Sequence, residues 1–245
     1  MSTAGGDPAS YPAGRRSELA QSLQSLHARI AAACTAAGRQ AAEVTLIAVT
    51  KTFPVSDIEL LSGLGVRDIG ENKDQEAAPK AARCAADHVP VTWHFVGQLQ
   101  VNKVASVSSY ADVVHSVDRL RLVGALGRRA TAAGRTVTCL VQVSIDGDPE
   151  RGGAAIGEVP AMAEAVARQD GLLLGGVMAV APQGMPAAAA FGRLRQVSDQ
   201  VSSAYPAATM ISAGMSGDLE EAISQGATHV RVGTALLGGR RPFVR

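Results

Sequence analysis

Aromatic side chains are scarce in this chain: four Phe, one Trp and three Tyr make up 3% of 245 residues. The core has to be built instead from Ala, Val, Leu and Ile, within a hydrophobic fraction of 47%. Cysteine is scarcer still. Cys34, Cys84 and Cys139 are odd in number and far apart, which excludes a paired disulfide framework and fits no metal-ligand spacing. Neither sign of charge dominates. With 23 Lys and Arg against 22 Asp and Glu, the net charge is +1, and no block of five or more like charges offers a nucleic-acid-binding tail. No apolar run is long enough for a membrane: the longest, 172–181, contains two glycines and falls short of the roughly 20 residues a span requires. The opening MSTAGGDPASYPAGRR lacks the apolar core of a signal peptide. A cytoplasmic protein with neither nucleic-acid nor membrane partners is expected.

Glycine, by contrast, is plentiful, at 26 residues or about 11% against a usual ~7%. Residues 1–14 read as a flexible tail, followed by Leu19, Leu23, Leu26 and Ile30 at helical spacing, with Ser17 as candidate N-cap. Beyond this extra N-terminal helix, short β-branched runs alternate with longer Ala-rich segments. Eight strands are predicted to begin near Thr45, Val66, Val91, Ala111, Val137, Gly171, Ala208 and Thr228. Their spacing averages about 26 residues, close to the ~30 of a strand plus its crossover helix. Eight such units predict a single (β/α)8 TIM-type barrel over 15–245. An open doubly wound sheet is the alternative, but the first βα turn, Thr50–Asp57, has no glycine and cannot be a dinucleotide fingerprint. Pro54 marks one helix start, Ser116 or Asp118 a second, and Ser216 a third, while Pro79 either starts or kinks the helix after the second strand.

In such a barrel, binding groups sit at the C-terminal ends of strands. The first strand ends in Lys51, an amine beside Leu46, Ile47 and Val49 that, partly desolvated, can form a Schiff base with a carbonyl. A solvated lysine reaching past the loop is the plainer alternative. After the seventh strand comes Ser212-Ala-Gly-Met-Ser-Gly-Asp218, a glycine turn running into a helix whose free N–H groups suit an anion. The eighth strand carries Arg231, then Gly233 and Thr234. Taken singly, Gly214 and Gly217 could be ordinary turn residues and Arg231 the partner of a structural carboxylate. Their coincidence on the two strands that usually hold phosphate in this fold favours phosphate. An amine and a phosphate cradle describe a site for a phosphorylated aldehyde, with pyridoxal 5'-phosphate (PLP) the first candidate and a phosphosugar held by an aldolase the competing one. No metal is expected.

Several segments together resemble one family, the pyridoxal phosphate homeostasis proteins of the YggS/PROSC type, which look like a stand-alone alanine racemase barrel of PLP fold type III. The matching segments are Ala48-Val-Thr-Lys-Thr-Phe-Pro54, Gly70-Glu-Asn72 followed by Gln75-Glu76, Trp93-His-Phe-Val-Gly-Gln-Leu-Gln-Val-Asn-Lys103, Ser116-Val-Asp-Arg119, Gly214-Met-Ser-Gly-Asp218 and Val230-Arg-Val-Gly-Thr-Ala235. The resemblance implies that Lys51 carries PLP as an internal aldimine, that Ser216, Arg231, Gly233 and Thr234 hold its phosphate, and that Asn72 lines the pocket near the ring. A turn-capping role is an equal account of Asn72. His94 reads as a hydrogen-bonded interior histidine rather than a ligand. The chain departs from the family pattern at Lys73, Asp74 and Ala213, and around Ser144 to Arg151.

A racemase needs two positioned bases. Lys51 supplies one, but the second, in alanine racemases a tyrosine from an additional domain of a partner subunit, has no counterpart expected here: the chain ends soon after the eighth unit, and Tyr11, Tyr110 and Tyr205 fall away from the mouth. The expected function is reversible PLP binding and intracellular vitamin B6 homeostasis without a dedicated catalytic reaction, with no catalytic residues assigned. PLP-dependent apo-enzymes are candidate recipients and the chain is expected to be monomeric. The alternatives are a racemase-like PLP enzyme and an interaction protein whose cofactor is incidental.

Overall fold

The structure, a computed structural model, describes residues 14–148 and 152–239. Strands β1 (Thr45–Val49), β2 (Asp68–Glu71), β3 (Thr92–Phe95), β4 (Val113–Val117) and β5 (Val137–Ser144) pair in parallel in chain order. A two-residue strand β6 (Ala154–Ala155) joins the end of β5, and β7 (Leu172–Met178), β8 (Met210–Ser212) and β9 (His229–Val232) complete the set. The β9–β1 and β4–β5 pairings close β1–β5 and β7–β9 into an eight-stranded parallel barrel. All eight expected strands are present. β6 was not anticipated, because two small residues carry no periodic signal.

Helices α1 (Arg15–Ala36), α2 (Val55–Gly63), α3 (Asp74–Ala86), α4 (Val104–Tyr110), α5 (Leu120–Ala132), α6 (Val159–Ala167), α7 (Ala187–Ala204), α8 (Leu219–Ser224) and α9 (Thr234–Leu237) surround it. Small aliphatic side chains fill the layer between strands and helices. One buried cluster runs from Phe95 to Ala227 and includes Leu122, Leu126, Val141 and Phe191. A second joins α1, through Leu19, Leu23, Leu26 and Ile30, to Ile58, Leu61, Leu219 and Leu237. The barrel interior holds a small apolar cluster of Val113, Leu140 and Met178. Burying one such side chain is worth about 1.5–3 kcal/mol, so many aliphatics replace the missing aromatics.

Several helix starts differ from expectation. The expected tail lies outside the described residues except for Gly14, which caps α1 in the left-handed region at φ 102°, so Ser17 falls in the first turn. Ser116 is buried inside β4, and Asp118 pairs with Arg119 rather than capping α5, whose N-cap is Arg119 with no side-chain cap. Asp218, rather than Ser216, stands at the α8 N-cap. Pro54 caps α2 as expected. The helix after β2 starts at Asp74, not at Pro79, which sits inside α3 and withholds one backbone donor from its ladder.

α1 is stitched to segments that follow β1, β8 and β9. Arg15 Nη2 donates to Leu237 O and Asp57 Oδ2, Arg29 Nη2 donates to Ser216 O, and Arg39 Nη1 donates to the carbonyls of Ile223 and Ala227.

Candidate functional site

Lys51, Asn72, Ser216, Arg231, Gly233 and Thr234 all line one cleft of about 380 Å³ at the C-terminal ends of the strands. Val96 and Gly97 after β3, Val180 after β7, and Met215 and Gly217 after β8 complete most of its wall. A cavity of about 410 Å³ between α4 and α5 lies on the outside of the barrel and holds no strand-end residue, so size alone does not select the site. Lys51 and Arg231 are the titratable groups lining the cleft among the described residues.

β1 ends at Val49, and Lys51 sits on the turn after it. The next residue, Thr52, is a non-glycine with φ 68°, a strained backbone of the kind that persists where its surroundings hold it. Its holders are visible. Thr52 N donates to Glu76 Oε2 (2.8 Å), and Lys80 Nζ donates to Thr50 O (2.9 Å) and to Glu71 Oε1 (2.6 Å), which also accepts from Thr50 Oγ1 (2.7 Å). Burial pushes Glu71 above the usual carboxylate range, and the Lys80 ammonium opposes that push. Lys51 itself makes no hydrogen bond or ion pair among the described residues. Its turn is pinned while its amine is left free.

Asn72 follows β2, and its Oδ1 is buried without a hydrogen-bond partner, so that oxygen caps no turn. Its backbone lies so close to β3 that a Cβ on Gly97 would stand 2.1 Å from Asn72 O; glycine is required there by close approach.

Gly214, at φ 88°, turns the chain after β8 toward Met215, Ser216 and Gly217. Met215 N donates to Asp218 Oδ1 (2.6 Å), and Ala235 N donates to Ser216 Oγ (3.3 Å), which ties this loop to the one after β9. The N–H groups of Ser216, Gly217, Gly233 and Thr234 have no acceptor among the described residues. Arg231 lies deeper, 6% exposed. Nη1 donates to Ser212 Oγ (2.6 Å) and Nη2 to Ala179 O (3.0 Å), both neutral acceptors. Burial pulls the guanidinium down to about 10, only partly offset by Asp218. The structural-carboxylate reading of Arg231 therefore fails: no carboxylate touches this charge among the described residues.

His94 is buried and hydrogen-bonded inside the barrel, as expected. Tyr110 packs edge-on against Trp93 near Asp74, and Tyr205 lies between α6 and α7; Tyr11 and Arg151 lie outside the described residues. Among the described residues no cluster of His, Cys, Asp or Glu could hold a metal, and no helix is long and apolar enough to cross a membrane. Sequence reasoning missed Glu71, Lys80 and Glu76 around the Lys51 turn, and Arg29 behind Ser216. The motif Gly70-Glu-Asn72 was visible, but nothing in spacing pairs its Glu with a lysine on the following helix.

A closed parallel barrel with an amine after its first strand and unpaired backbone N–H groups after its last two defines the class to which the chain compares. The family model for the alanine racemase N-terminal domain matches residues 21–241. A pyridoxal phosphate homeostasis protein of Mycobacterium tuberculosis is 42% identical over 252 residues, covering 96% of this chain and 97% of that one. Its namesake in Pseudomonas aeruginosa is 40% identical over 227 residues, covering 91% and 96%. PipY of Synechococcus elongatus, solved with PLP bound, is 32% identical with a TM-score of 0.79, covering 90% of this chain and 100% of that one. The chain belongs to the pyridoxal phosphate homeostasis protein family.

Proposed function

We propose that the chain binds PLP in this cleft, with Lys51 as its covalent attachment, and serves to hold and release the cofactor rather than to run a dedicated reaction. The observation that carries this is the convergence of an unpaired lysine amine and a buried arginine charge in one strand-end cleft. A buried cation supplied with only neutral partners is costly unless an anion completes the site. PLP brings an aldehyde for Lys51 Nζ and a dianionic phosphate. The residues present fit it: Asn72 lines the cleft with its buried Oδ1 unpartnered, and the free N–H groups of Ser216, Gly217, Gly233 and Thr234 belong to lining residues, of which Ser216 and Thr234 also carry hydroxyls. Arg231 adds fixed positive charge beneath them. The relatives' shared name and the PLP found in PipY support the same reading.

A racemase-like PLP enzyme is the alternative reading, with Lys51 as one of the two bases it would need. Val180 and Met215, exposed apolar side chains on the lining, suit contact with a recipient protein such as a PLP-dependent apo-enzyme. We place the protein in the cytoplasm as a monomer over 15–245. The test is a PLP titration of the purified chain beside Lys51→Ala, with a screen of amino acids for racemisation. Saturable binding that Lys51→Ala weakens, without turnover above free cofactor, is expected. Absence of PLP binding would overturn the proposal, and Lys51-dependent turnover would replace the carrier role with an enzymatic one.

A further inference from the structure

A polar chain that the binding roles above use only at its last member, Arg231, runs through the barrel from the foot of β2 to the cleft. Arg231 Nη1 donates to Ser212 Oγ (2.6 Å), Ser212 Oγ lies 2.9 Å from His115 Nδ1, His115 Nε2 lies 2.9 Å from His94 Nδ1, and His94 Nε2 lies 2.9 Å from Asp68 Oδ1. β4 and β8 are not neighbours, so the His115–Ser212 bond crosses the barrel interior. Ser212, His115 and His94 are buried, whereas Asp68, at the N-terminal end of β2, leaves 26% of its side chain exposed. Asp68 and Asn72 are four residues apart along the strand direction, roughly 13 Å at ~3.3 Å per residue.

The two ends give the chain a direction. A guanidinium can only donate and a carboxylate can only accept. Ser212, having accepted from Arg231, gives its own hydrogen to His115 Nδ1; His115 Nε2–H then donates to His94 Nδ1, and His94 Nε2–H to Asp68. Each hydrogen finds one acceptor. The reverse order gives Ser212 two donors and leaves its buried hydroxyl hydrogen without an acceptor among the described residues. Burial, with His94 and Arg231 nearby, pushes His115 well below the ordinary histidine range, in keeping with a neutral ring. His229 also faces His94, at 6.5 Å between centroids, and is hydrogen-bonded to Thr228 instead.

We propose that Asp68, His94, His115 and Ser212 form a positioning chain that sets the hydrogen-bond direction at Arg231. It fixes Nη1 on Ser212 while Ala179 O fixes Nη2, which leaves three of the five guanidinium donors for the cleft Arg231 lines. These residues act on the ligand through Arg231 and do not touch it. The predicted effect on binding rests on the PLP reading of the cleft; the direction of the chain does not.

Nitrogen-15 NMR of the ligand-free protein at neutral pH reads that direction, with both His94 and His115 expected as neutral Nε2–H rings. An Nδ1–H ring at His115, or a doubly protonated ring at either position, would overturn the proposal. Asp68→Asn keeps an acceptor and should preserve both tautomers and PLP affinity within about twofold, whereas Asp68→Lys, a pure donor, should turn both rings to Nδ1–H and weaken PLP about tenfold. Unchanged tautomers in Asp68→Lys with a native circular dichroism spectrum would contradict the chain, and reversed tautomers with unchanged PLP affinity would contradict its coupling to Arg231. A wild type that showed both expected tautomers yet bound no PLP would support the chain and overturn the cleft reading instead.

Discussion

Lys51 is free because its neighbours are not. The ammonium of Lys80 answers the buried Glu71 carboxylate and grips the Thr50 carbonyl, so the turn that aims Lys51 depends on a side chain 29 positions further on. Lys80→Met would leave Glu71 buried without its cation, at an expected cost of about 3 kcal/mol or more, and Glu71→Gln in the same chain should recover part of it. Urea unfolding of the two single variants and the double variant measures this coupling. Gly97→Ala is expected to be among the most damaging small changes, since its Cβ would collide with Asn72 O; the soluble yield and unfolding midpoint check it. At this scale the sequence was partly legible. Lys51 and the glycine turns announce themselves by strand-end position, because the fold places binding groups there. Lys80 and Glu71 do not, because their pairing depends on how α3 packs over β2, which no local pattern encodes.

Among the elements, α1 matters beyond its buried leucines. Its periodicity predicted a helix, and the helix is there, but only the packed structure reveals that Arg29 grips the carbonyl of Ser216. The accompanying Arg29–Glu220 pair is largely exposed and is worth little to stability. Arg29→Ala should therefore change the unfolding free energy by less than about 1 kcal/mol while weakening PLP binding several-fold through a looser Ser216 loop. Fluorescence titration alongside chemical unfolding separates the two effects, and a large stability loss with unchanged affinity would contradict this role. The strands were the most legible elements, since β-branched runs bounded by turn residues leave little choice of state. Helix starts were less so. Ser17, Ser116 and Asp118 were plausible caps by type, but a left-handed glycine, a strand interior and a neighbouring arginine took those roles.

The whole molecule combines an aliphatic outer layer with a barrel interior that carries buried histidines, and this combination has a pH signature. Burial, then the nearby His94, pulls His229 down to about 4, and burial likewise lowers His115. The unfolded chain, with ordinary histidines near 6.5, binds more protons than the folded one between about pH 6.5 and pH 4. Stability should be full above that window and fall as pH drops through it, by up to ~1.4 kcal/mol per pH unit for each histidine. Urea midpoints at pH 7 and pH 5 test the sign. Barrel closure itself could be read from eight strands at regular spacing, whereas the contacts across its lumen could not, because β4 meets β8 only once the sheet has closed. Above all, Lys51 is proposed to be the one lysine in this barrel that carries the cofactor. Borohydride reduction of the PLP-loaded protein, followed by peptide mass spectrometry, tests this most directly. A phosphopyridoxyl group on Lys51 is the expected result, and labelling of another lysine, or of none, would contradict it.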